Sequence, residues 1–108
     1  MPTTLALPVI PGFAGEVEQF AAEHGITDAV FAIFDVTRRI FHQAKQVRVE
    51  SYVDHDDESW DSVYFKIVDW PLSVEATQGI DDAWYRETHD LIPFDLAWRI
   101  GHRIEWRE

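Results

Sequence analysis

The 108-residue chain has no cysteine. That excludes a disulfide framework, a cysteine-ligated zinc site and a thiol nucleophile. Basic residues are scarce, 9 against 20 acidic ones, for a formal charge of −11 with the histidines neutral. This balance argues against a protein that coats nucleic acid through its overall charge. Long apolar runs are missing as well. The longest, Ala29 to Phe34, is six residues, where a bilayer-spanning helix needs about 20. No membrane is therefore expected as a partner. The chain also lacks a Gly-rich phosphate loop, a GxSxG elbow and an HExxH pair. Its four serines, Ser51, Ser59, Ser62 and Ser73, stand in no nucleophile motif. No catalytic residue, metal ligand or cofactor is assigned on this basis.

What is present suits one folded domain. Hydrophobic residues make up 46% and aromatics 14%, more apolar surface than a disordered chain supplies. The first eleven residues are apolar but carry no lysine or arginine, and Pro2, Pro8 and Pro11 interrupt any helix there. A signal peptide is not expected, and the cytoplasm is the default location. Residues 1–11 read as an extended arm, and 12–108 as the domain.

Apolar spacing sets out the elements. Val17, Phe20 and Ala21 mark a helix over 15–24, broken by Gly25. Thr27 reads as the cap of a second helix, whose stripe of Val30, Ile33, Phe34, Thr37 and Phe41 carries it to about Gln43. The period then becomes two. Val47 to Val53 and Val63 to Ile67 alternate around the polar turn His55–Ser59, a β-hairpin pattern. Ser73 can cap a third helix, although Gly79 weakens its middle by ~1 kcal/mol and could delay its start to Ile80. Pro93 stops that helix, and residues 97–106 alternate again. The order α-α-β-β-α-β predicts an α+β fold: a small, mostly antiparallel three-stranded sheet with helices packed on one face.

Several motifs fail on chemistry. Ala21 to Ile26 imitates the spacing of a helix-turn-helix, but the second helix would offer Asp28, Phe31 and Asp35 to the groove. Bases and phosphates call for arginine, lysine, asparagine or glutamine there. Direct nucleic-acid binding is not expected. The run Asp54-His55-Asp56-Asp57-Glu58 starts like a calcium loop, yet Ser59 and Phe65 occupy the positions that need glycine and glutamate. Asp81, Tyr85 and His89 form a row on the third helix that could serve acid–base work or simply a polar flank. His102 alternates with Ile100 and Ile104, so it is expected in the sheet interior, where its ring nitrogens need partners.

The most informative feature is the predicted outer sheet face. If Val47, Val49, Val53, Val63, Phe65, Ile67, Ile100 and Ile104 face the helices, the opposite side shows five cations and two carboxylates in a protein of charge −11. Arg48, Tyr52, Tyr64, Lys66, Arg99 and Arg103 are the candidate binding residues there, since arginine and tyrosine are favoured at interfaces. The alternative is a solvated face laced with cross-strand ion pairs. A homodimer through this face satisfies either reading.

The series Phe41-x-x-Ala44, Val47-x-Val49, Val63-x-Phe65-x-Ile67, Ser73-x-Glu75 and Ile80-Asp81-x-x-Trp84-Tyr85, followed by Pro93 and a final Ile-x-x-x-Ile-Glu strand, resembles a group of short bacterial hypothetical proteins. The resemblance covers about residues 37–106. Some of that group lie near toxin–antitoxin or mobile-element genes, which implies an antitoxin- or immunity-like binding role. It transfers no catalytic residue. The leading expectation is a non-enzymatic module that binds another protein or itself. Two alternatives stand beside it: an acidic nucleic-acid mimic built on the Asp54–Asp61 cluster, and a small hydrolase or metal-dependent enzyme using His55, Asp56, Tyr85 or His89.

Overall fold

The computed structural model describes residues 10–52, 56 and 61–108. Most of the expected arm, and all of the acidic turn but Asp56, lie outside them. Among the described residues the chain runs α1 (Gly15–Glu23), α2 (Thr27–Ile40), β1 (Gln46–Tyr52), β2 (Ser62–Trp70), α3 (Val74–Thr88), a short 3-10 turn (Phe94–Leu96) and β3 (Ile100–Trp106). The fold is α+β, with three helices and a three-stranded mixed sheet.

The helices follow their apolar stripes, but their ends are set by local bonds. Thr27 does not cap α2. It is the first helical residue, and Ile26 takes the cap position without any side-chain bond. Helix α2 also stops at Ile40, and Phe41 turns into the core at 1% exposure. Ser73 does cap α3, its Oγ accepting from the Ala76 N–H at 3.1 Å. The helix therefore starts at Val74 and runs straight through Gly79. A cap stabilises by about 1 kcal/mol, enough to offset that glycine.

The strand order is β1-β2-β3. β1 and β2 pair antiparallel, with Val49 opposite Phe65, as the hairpin pattern predicts. β3 instead lies parallel to β2, with Val63 opposite Ile100. This corrects the mostly antiparallel expectation. The segment between the two strands carries α3 over the sheet and returns the chain to the same end, which is a βαβ crossover. β3 also begins later than its alternation suggests. Residues 97–99 belong to a turn in which Arg99 N–H donates to the Leu96 carbonyl.

Strand β2 carries one irregularity. Between Ile67 and Trp70 it uses one residue more than β3 does between Ile104 and Trp106. Asp69 adopts a φ of 57° there, and its two carboxylate oxygens accept from Arg107 at 3.1 and 3.3 Å. Strict alternation from Ile67 would turn Trp70 outward. The extra residue returns it to the core, at 1% exposure.

Two buried tryptophans are tied to helical threonines. The Trp84 indole N–H donates to Thr37 Oγ1 at 2.7 Å, and that hydroxyl donates to the Ile33 carbonyl at 2.6 Å. The Trp70 indole donates to Thr77 Oγ1 at 2.8 Å, which donates to the Ser73 carbonyl at 2.6 Å. Each threonine thus satisfies an indole that burial would otherwise strand.

The inner end of the arm lies across the outer edge of β1. Val49 N–H donates to the Pro11 carbonyl at 2.9 Å, and Ile10 is buried. Gly12 makes this crossing possible. Its φ is +86°, and a Cβ there would sit 2.1 Å from the Val49 carbonyl oxygen.

Candidate interaction face

Residues from all three helices join one hydrophobic cluster with Val47, Val49, Val63, Phe65, Ile67 and Ile100. The helices therefore share one side of the sheet. On the other side no helix of the described residues covers the strands, and the pairing register sets out what that side presents. Arg48 lies opposite Lys66, Glu50 opposite Tyr64, and Lys66 opposite Arg103. With Glu105, this makes three cations and two carboxylates among the described residues.

These groups are organised around Glu50. Tyr64 OH donates to its Oε2 at 2.7 Å. Arg48 Nε lies 3.3 Å from its Oε1, and Lys66 Nζ 3.8 Å from the same oxygen. Lys66 Nζ also reaches Glu105 at 3.1 Å. The Arg103 guanidinium stands 4.5 Å above the Tyr64 ring, within cation–π range. The Tyr64 phenol is held above its ordinary pKa, first by the bond to Glu50 and then by burial. The Lys66 ammonium is likewise raised, first by the bond to Glu105 and then by the charge of Glu50. Tyr52 closes the row at the end of β1 and is 57% exposed. The outer face is thus a network of pairs within β1 and across the strands, in which Arg48, Tyr64, Lys66 and Arg103 each have a partner.

Arg99 lies apart from Arg48, Tyr64, Lys66 and Arg103, and meets only Tyr52 of the candidate residues, across a groove. Its Nε donates to the Asp61 carbonyl at 2.6 Å, and its guanidinium packs 5.0 Å from the Phe20 ring of α1. That groove, of about 450 Å³, is also lined by Glu16, Glu23, His24 and Ser51. Because residues 97–99 form a turn, the alternation that placed Arg99 on the outer face does not reach it. Arg107 is held by Asp69 at the bulge. Arg48, Tyr52, Tyr64, Lys66 and Arg103 remain together.

Asp81 does not act in a row with Tyr85 and His89. It turns to His102, pairing through Oδ1 with Nε2. The His102 side chain is 4% exposed. Its ring is enclosed by Trp84, Tyr85 and Phe41, at centroid distances of 4.3, 5.3 and 5.5 Å. Nδ1 is buried and has no partner among the described residues. Solvent reaches Asp81 but hardly the imidazole, so the pair reads as a core contact. The Tyr85 phenol is raised above its ordinary value, by burial first and by Asp81 second. Sequence reasoning saw each member of this cluster but not the contact, because Asp81 and His102 belong to elements joined only by the crossover. His89 and Tyr85 line a second groove of about 530 Å³ with Ile92 and Phe94. His55 lies outside the described residues. Among the described residues, no three histidine or carboxylate side chains converge as a metal site.

The chain matches no protein-family model, no curated protein and no solved structure. Among the described residues, no helix is long and apolar enough to cross a membrane.

Proposed function

We propose that the chain is a non-enzymatic protein-binding module of the cytoplasm, and that its uncovered sheet face is the contact surface. One observation carries this reading. In a chain of charge −11, the side left open by the helices collects Arg48, Lys66 and Arg103 with Tyr52 and Tyr64. Arginine and tyrosine anchor interfaces well, because each offers a large contact area together with a polar end. The Glu50 network holds Tyr64, Arg48 and Lys66 in place before binding, which lowers the ordering cost. A partner of complementary, acidic surface fits best. An antitoxin- or immunity-like inhibitor is one form of such a module, and the resemblance to short bacterial proteins accords with it.

The test compares capture from a host lysate by the wild type, by R48E/Y52A on the face, and by R39E on α2 as a control. Among the described residues Arg39 makes only an exposed pair with Glu87, so R39E should capture what the wild type does. R48E/Y52A should lose it. Equal capture by all three, or none by the wild type, sinks the reading.

A further inference from the structure

We infer that two copies of this chain join edge to edge along β3, in antiparallel register about Ile104. The join uses a strand edge, so it goes beyond the binding face proposed above.

The two edges of the sheet are treated differently. The β1 edge is crossed by Pro11, which accepts from Val49 N–H. Among the described residues nothing crosses the β3 edge. The Arg99 carbonyl and the Arg107 N–H both point to β2. In a parallel pairing, the groups of every second residue point the same way. The N–H and C=O groups of Ile100, His102, Ile104 and Trp106 therefore point away from β2. Among the described residues no backbone group meets them. An open edge invites another strand, and proteins usually blunt it with proline, a bulge or an inward charge. β3 has no proline, and the extra residue of the bulge belongs to β2.

The sequence of β3 is complementary to itself. With Ile104 on the twofold axis, Ile104 faces Ile104 of the second copy. Arg103 then stands opposite Glu105 of the second copy, and Glu105 opposite its Arg103, both pairs on the outer face. On the helix side His102 stands opposite Trp106. The outward-pointing backbone groups of His102, Ile104 and Trp106 then meet outward-pointing groups. Centring one residue earlier sets Arg103 against itself, so charge selects the register about Ile104. Trp106 is 40% exposed and Tyr85, beside His102, is 56% exposed. Both gain cover in the join. A single isologous contact of this kind closes on itself as a dimer. It turns two three-stranded faces into one continuous six-stranded face.

Light scattering on the purified chain tests this directly. The wild type should show twice the 12.6 kDa of one chain at micromolar concentration. R103E places Glu against Glu105, and E105R places Arg against Arg103. Each variant should fold by circular dichroism yet run as a single chain. Mixed in equal amounts, the two should regain the doubled mass, because every cross-strand pair is then of opposite charge. The face variant R48E/Y52A should stay dimeric, which keeps the two proposals separable. A wild type that stays at one chain mass overturns the inference. So do single variants that remain dimeric, a mixture that stays monomeric, or loss of the dimer in R48E/Y52A.

Discussion

Replacing Thr37 with valine tests whether the indole–threonine ties are structural supports. Thr37 is fully buried, and Trp84 is 1% exposed. Valine keeps the shape of threonine and removes only the hydroxyl. The Trp84 N–H, bonded at 2.7 Å to that hydroxyl, is then left in the core without an acceptor. A stranded buried donor costs about 1–3 kcal/mol. The Ile33 carbonyl keeps its helical bond, so its loss is minor. The net destabilisation should be about 2 kcal/mol, or roughly 10 °C in Tm for a domain of this size. Urea unfolding followed by circular dichroism measures it. The decisive comparison uses W84F, which removes the donor. In that background T37V should cost close to nothing, leaving a coupling of about 1.5–2 kcal/mol. An equal cost in both backgrounds would show that the tie carries no weight. So would a T37V protein within about 0.5 kcal/mol of wild type.

Two further outcomes are expected. G12A forces a Cβ against the Val49 carbonyl at a positive φ, so it should lift Pro11 from β1. The combined loss of backbone fit, one hydrogen bond and Ile10 burial should reach about 3–5 kcal/mol. Fast hydrogen exchange at the Val49 amide would accompany it, and a protected amide would contradict the account. The second outcome concerns alkaline pH. The Tyr64 phenol is raised above its ordinary value of 10.0 by Glu50, so its contribution is complete below that pH and is lost as pH rises through the folded value. Y64F should be less stable at neutral pH by about 1 kcal/mol and should lose less stability as the pH rises above 10.0. Some loss remains in Y64F, because Tyr85 and Lys66 are also raised. Parallel curves for the two proteins would refute the assignment.

Periodicity was enough to find the strands and their buried faces, because Val47, Val49, Val63, Phe65 and Ile67 must all turn one way to meet the helices. It could not give the direction of β3. A period of two reads the same along either direction, and only the path through α3 decides it. It also carried the strand back over residues 97–99, where turn bonds rule instead. The bulge was hidden for a related reason. Nothing local marks Asp69 for a positive φ, and its support comes from Arg107, far along the chain. Five of the six candidate residues share the outer face or its rim because their strands pair in the expected faces. The Asp81–His102 contact and the threonine ties were out of reach, since each depends on how two helices or a helix and a strand are packed.

The crossover has a consequence for how the fold assembles. β1 and β2 meet through a short connection, and the entropy of closing such a loop is small. β3 reaches β2 only after the whole of α3 has been laid down, with Val63 pairing across it to Ile100. Loop-closure entropy therefore favours pairing of the hairpin before the third strand. Until β3 arrives, the edge of β2 that bears Val63, Phe65 and Ile67 stands open. During that interval, a third strand from a neighbouring copy fits the edge as well as the chain's own. That vacant edge is the point at which two copies can exchange third strands.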